Sequence, residues 1–164
     1  WISKSLPADT MLVVKEQPKA YGIRSLRYYD NFRKINNVIL ASPEIHSWRW
    51  IKEARIIATI TGTVGIEAVY FGKPVLSFGK HQIINHLPSV HYVNTFESVK
   101  DAVKELLTLA PDDIIFKKSK AAFSQAQKES SFKMTGLEKL SKSRKLHMEL
   151  AKEAVKNLKE QYNL

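Results

Sequence analysis

The chain has 164 residues (18.7 kDa); 44% are hydrophobic and 26% charged, the net charge is +10, and there is no cysteine. That is enough chain for a domain with its own core, so disorder throughout is excluded, as are disulfides, thiolate metal sites and a cysteine nucleophile. Residues 1–116 hold 14 Lys/Arg against 11 Asp/Glu and residues 117–164 hold 12 against 5, so the basic character belongs to the C-terminal third, as a solvated lysine-rich helix face or as a contact for nucleic acid or an anionic surface.

The opening Trp1-Ile2-Ser3-Lys4 has neither an initiator Met nor a signal-peptide pattern, which suggests a piece of a longer protein, the alternative being a processed or tagged small one. Met11 to Lys15 is predicted as a strand buried on both faces, ended by Pro18. A helix is predicted over 20–35, a turn at Asn36-Asn37 and a second strand at Val38 to Ala41. Ser42-Pro43 has the N-cap and first-turn proline of a helix running to about Ala54. Ile56 to Ile60 is predicted as a third buried strand, and Thr61-Gly62-Thr63 as a tight turn into a helix from Val64 to Phe71. Gly72 stands where a C′ glycine belongs, with Pro74 behind it. Val75 to Phe78 and Val90 to Val93 are the fourth and fifth strands, and helices follow at about 96–109, 112–129 and 137–161. No run is apolar over the roughly 20 residues a membrane span needs.

Strand and helix alternate with short connections, the pattern of a Rossmann-like α/β fold: a parallel sheet with helices on both faces. Such sheets bind ligands beyond the carboxyl ends of their strands, so the informative residues lie just after Lys15, Ala41, Ile60 and Phe78. The last helix carries a stripe from Leu137 through Leu140, Met148, Ala151, Val155 and Leu158 to Tyr162, interrupted by Arg144. That stripe packs either on this domain or on a missing neighbour.

Thr61-Gly62-Thr63-Val64-Gly65-Ile66-Glu67 follows a buried strand and opens a helix. Free amides and the helix dipole suit an anion there, Gly62 and Gly65 admit a phosphate to the backbone, and Thr61 and Thr63 add hydroxyls. The alternative is a glycine turn chosen for strand–helix packing, and both readings stay open. Glu67 lies four residues after Thr63, one too far for a capping box. It suits ribose hydroxyls, or simply the dipole. Lys15, Gln17 and Pro18 end the first strand on the same expected rim: Lys15 suits a phosphate and Gln17 a base or sugar, while a plain polar strand end is the alternative. Gly79, Lys80 and His81 end the fourth strand, Gly79 permitting close approach and Lys80 or His81 reaching an anion. His86 and His91 follow, but no spacing of histidines or carboxylates indicates a metal, and none is expected.

Leu12-Val13-Val14-Lys15-Glu16-Gln17-Pro18, Asn37 to Pro43, Ile60 to Ala68 and Gly72-Lys73-Pro74-Val75-Leu76-Ser77-Phe78-Gly79 together resemble the C-terminal half of bacterial capsular polysaccharide biosynthesis proteins. These are two-domain glycosyltransferases of GT-B architecture, some of which transfer Kdo from CMP-Kdo. The resemblance covers about residues 6–109. It implies a nucleotide-sugar-binding domain over 1–110, followed by a basic helical segment over 111–164. The Thr61–Gly65 turn would hold the donor phosphate, Glu67 the ribose, and Lys15 to Pro18 would line the nucleotide pocket. No cofactor is implied beyond the nucleotide-sugar substrate, CMP-Kdo or another. The acceptor, a polysaccharide or glycolipid, would be met through an N-terminal domain absent from this chain. The expected location is the cytoplasm, with peripheral contact at the inner membrane; nucleic acid is not the expected partner. The family pattern has Lys-Glu-His-Pro, whereas this chain has Gln17 at the His position. Gln keeps a hydrogen bond but carries no proton or charge, so either the donor or the activity differs. The rival readings are a sugar-nucleotide enzyme similar to the UDP-GlcNAc 2-epimerases, or a non-catalytic basic scaffold.

Overall fold

Val75, Leu76 and Ser77 are buried in succession, so this strand has neighbours on both faces and both edges. In the computed structural model, which describes residues 1–20, 22–130, 151–153, 155–156 and 159–160, it is the central strand of three. Two compact units are formed, Trp1–Phe123 and Ser124–Leu164. The first contains all the strands of the described residues. It runs α1 (Ile2–Ser5), β1 (Leu12–Val14), a 3-10 turn at Pro18–Ala20, α2 (Leu26–Arg33), β2 (Val38–Leu40), α3 (Ser47–Glu53), β3 (Ile57–Thr59), α4 (Val64–Tyr70) and β4 (Val75–Ser77). A 3-10 turn at Ile83–His86, β5 (Val90–Tyr92), α5 (Phe96–Thr108) and the start of α6 (Ile114–Ser130) follow.

The strands form two parallel sheets. β1 pairs with β2, Val14 opposite Leu40. β4 lies between β3 and β5, with Thr59, Ser77 and Tyr92 in register. Because side chains alternate across a strand, β4 serves two cores. Val75 joins Ile51, Ile57, Ala68, Val69, Ile84 and Val90 on the face covered by α3 and α4. Leu76 joins Val99, Ala102, Val103 and Leu106 of α5 on the other, where Ile2 and Leu6 also pack. Each fully buried aliphatic side chain contributes about 1.5–3 kcal/mol, so β4 with its flanking helices is the strongest part of the unit. Helices on two faces of parallel strands match the Rossmann-like expectation.

Several local expectations are corrected. β1 and β3 are not buried as expected: Val13 is 36% exposed, and Ala58 and Ile60 are exposed; Ile39 of β2, opposite Val13, is 46% exposed. The helix over 20–35 is only α2, because Gly22 takes φ +80° and Ser25 stays extended as the N-cap. The helix after Ser42-Pro43 starts at Ser47 instead. Ser42 Oγ accepts from the Glu44 amide in a local turn, and His46 Nδ1 caps α3 through the Trp48 amide at 3.3 Å.

Gly72 has φ +66°, Lys73 N–H reaches Ala68 O and Gly72 N–H reaches Val69 O, which is the Schellman closure expected of α4. Thr95 and Ser98 exchange side-chain and backbone hydrogen bonds as a capping box for α5. Of the helix expected over 137–161, residues 151–153, 155–156 and 159–160 are helical; the rest of that expectation, with most of its stripe, lies outside the described residues.

Candidate functional site

Because β3 and β4 are parallel and in register, the segments that leave them emerge on one rim. The Phe78 amide donates to Thr59 O at 2.9 Å, which carries Phe78–Gly79 alongside the Ile60–Thr63 turn. Gly79 is buried, and a Cβ there would collide with Ile60 O. Gln82 Nε2 donates to Ile60 O at 3.1 Å, while Asn85 Nδ2 holds Gly79 O at 2.9 Å and Lys80 O at 3.2 Å. Ile60 and Gly79, far apart in sequence, thus lie side by side on one rim, and the 79–86 segment is fixed against the Ile60–Thr63 turn.

Within the turn, the donors divide into two groups. Gly62 N–H donates to Thr59 Oγ1 at 3.1 Å, and Gly65 N–H to Gly62 O at 3.3 Å. The amides of Thr61, Thr63 and Val64 have no hydrogen-bond partner among the described residues. Thr61, Gly62 and Thr63 are exposed and Val64 is half-buried.

Gly65 is buried. A Cβ there would lie 2.6 Å from Ile84 Cδ1 and 3.1 Å from Thr59 Cγ2, so close packing of α4 on β3 and the 83–86 turn requires a glycine. Glu67 is half-buried one turn into α4, where its Oε1 accepts from Thr63 Oγ1 at 3.2 Å. Oε2 has no partner among the described residues. Lys80 and His81 are exposed at the edge of this surface.

A second set of candidate residues, Lys15, Gln17 and Pro18, lies at the carboxyl end of the other sheet. Lys15 is half-buried and its Nζ donates to Pro43 O at 3.0 Å, joining the ends of β1 and β2. Gln17 and Pro18 are exposed; Gln17 O accepts from Ala20 N–H in the 3-10 turn. No strand pair, hydrogen bond or ion pair among the described residues links Lys15, Gln17 or Pro18 to the Thr61–Gly79 surface.

Sequence reasoning missed the brace beside Gln17. Glu16 Oε1 accepts from Arg24 Nε at 3.0 Å, and Glu16 Oε2 from the Tyr29 hydroxyl at 2.7 Å. Arg24 also lies over the Tyr28 ring, 4.6 Å from its centroid. The brace fixes the loop after β1 onto α2. Its only signal in sequence is an acid next to Lys15 and an Arg eight residues on, a spacing that no regular element brings together.

A hollow at the opposite, amino end of β3 and β4 is lined by Arg55, Lys73, Leu106, Leu109 and Phe116. Both cations there close helix ends: Lys73 Nζ donates to Lys52 O at 2.7 Å, and Arg55 Nη2 to Leu107 O and Leu109 O. The cations at that edge thus have structural partners, whereas the side chains of Lys80 and His81 at the carboxyl rim have none among the described residues. Among the described residues no three His, Asp or Glu side chains group as a metal site requires, and no helix is long and apolar enough to cross a membrane.

A family model described as capsule polysaccharide biosynthesis protein matches residues 2–83, half of the chain, and the matched span contains every residue of both groups. No curated protein and no solved structure matches the chain.

Proposed function

Since the chain belongs to the capsule polysaccharide biosynthesis family, we propose that its first unit binds the nucleotide-sugar donor of a glycosyltransferase that builds a surface polysaccharide. The observation that carries this reading is the pairing of the Thr61–Thr63 turn with Gly79 on one carboxyl rim, with unpartnered amides at Thr61, Thr63 and Val64. Ligands of parallel sheets bind at that rim, and amides there favour negative charge.

In this reading the amides of Thr61, Thr63 and Val64 and the Thr61 hydroxyl hold a donor phosphate. Glu67 Oε2 accepts from ribose hydroxyls. Lys80 and His81 approach the leaving nucleotide from the 79–86 segment, and Lys15, Gln17 and Pro18 line the nucleotide pocket from the other sheet. The chain's contribution to transfer is positioning, together with stabilisation of charge on the departing phosphate by fixed donors. No side chain here is assigned as the acid or base; acceptor groups belong to the N-terminal domain that the two-domain architecture implies. Gln17 in the family's His position offers a hydrogen bond but no titratable proton or charge, so in this reading either the donor differs from CMP-Kdo or the activity is altered.

A thermal-shift series with CMP, UDP, GDP and ADP and their sugars tests the proposal. Stabilisation by one base family, present in the wild type and reduced in Glu67→Ala, is expected. A flat response to all of them would contradict donor binding. A response to UDP-GlcNAc with epimerisation of the sugar would favour the epimerase-like reading.

A further inference from the structure

Ile23 and Leu26 are 78% and 82% exposed, among the most exposed large aliphatic side chains of the described residues. They sit in a basic setting. Residues 19–34 contain Lys19, Arg24, Arg27, Arg33 and Lys34 against Asp30. Asp30 pairs with Arg33 at 3.6 Å, and Arg24 with Glu16. Lys19, Arg27 and Lys34 are exposed and in no ion pair among the described residues. At 100° per residue, Tyr28, Tyr29 and Phe32 fall on the half-buried side of α2, and Leu26, Arg27 and Lys34 on the opposite side. Ile23, just before the helix, extends the exposed surface toward the carboxyl end of β1.

We infer that this loop and the outward side of α2 dock on an anionic lipid surface, with Ile23 and Leu26 entering the headgroup boundary and Lys19, Arg27 and Lys34 meeting lipid phosphates. Exposed aliphatics flanked by unpaired cations have the chemistry of an interfacial contact. Each basic side chain near an anionic surface strengthens attachment about fivefold. A second copy of the chain is disfavoured, because two such patches would face each other with like charge and only two aliphatics each, far below a stable interface. Nucleic acid is disfavoured because Tyr28, a ring beside this patch among the described residues, is already covered by Arg24. The inference is independent of donor binding: residues 19–34 include none of the proposed donor contacts.

The chain has no cysteine, so Leu26→Cys gives a single site for an environment-sensitive fluorophore, with Glu97→Cys on exposed α5 as the control. With phosphatidylglycerol–phosphatidylcholine vesicles, the label at position 26 should shift to the blue and the label at 97 should not; pure phosphatidylcholine should move neither. In co-sedimentation of the unlabelled chain, Ile23→Ser/Leu26→Ser and Arg27→Glu/Lys34→Glu should each lower vesicle binding roughly tenfold or more, with unchanged melting. These variants leave the lysines of 117–164 in place, so undiminished binding would locate attachment there and overturn the inference. So would the absence of any shift at position 26. Binding of single-stranded RNA without vesicle binding, lost in the charge variant but kept in the aliphatic one, would assign the patch to nucleic acid and likewise overturn it.

Discussion

Lys15 and Glu67 are both rim charges in sequence, yet the fold gives them different partners. Lys15 already has a protein acceptor, Pro43 O, in a part-buried setting. Lys15→Met should therefore destabilise the first unit by about 1 kcal/mol whether or not a nucleotide is present, seen as a lower midpoint in a thermal melt. Glu67 has one oxygen on the exposed Thr63 hydroxyl, and its loss should leave the melt nearly unchanged. The two glycines of the rim separate in the same way. Gly65→Val places atoms into buried Ile84 and Thr59, and Gly79→Ala meets the backbone at Ile60, which has no flexible end to move aside. Each should cost about 1–3 kcal/mol, lowering the midpoint by roughly 3–12 °C. Both outcomes are readable by circular dichroism without any ligand.

At the scale of elements, the helix ends carry the next expectations. Gly72 holds φ +66° to close α4, with open space around it except Phe116 Cβ at 3.7 Å. Gly72→Ala should cost about 1 kcal/mol through backbone strain alone. Thr95→Ala, which removes the α5 capping box, should cost about as much, and a chemical denaturation curve measures both. The closure of α4 was legible in sequence because its signal is local, whereas the Thr95–Ser98 box was missed. Gly72-Lys73-Pro74 marked the end of α4, and the apolar run at Val75 marked β4. The misreadings came where a distant partner decides. Ser42-Pro43 has the residues of a helix start, but Ser42 serves a local turn and Pro43 O is taken by Lys15, so α3 begins five residues later than Ser42. Val13 reads as a buried strand residue, yet it stands beside Ile39 on a face of the two-stranded sheet that stays exposed. The Glu16–Arg24–Tyr29 brace was invisible because it depends on how the loop after β1 folds back on α2.

Over the whole molecule, the alternation of strand and helix was enough to read the parallel α/β architecture, and the succession from Thr61 to Gly79 was enough to read one half of the candidate site. What it did not reveal was the division into two sheets, which places Lys15, Gln17 and Pro18 in a group of their own. It also did not reveal which amides of the turn are already engaged: those of Gly62 and Gly65 are, while those of Thr61, Thr63 and Val64 have no partner among the described residues.

The central claim is that this open surface, read by Glu67, binds a nucleotide sugar. Isothermal calorimetry of the wild-type chain and of folded Glu67→Ala, with the nucleotide that gives the largest thermal shift, tests it most directly. The account predicts saturable binding by the wild type and a loss of about 1.5–3 kcal/mol in the variant, roughly ten- to a hundred-fold in affinity. Equal affinity in the two proteins would contradict it, leaving Glu67 as a partner of Thr63 and the helix dipole alone.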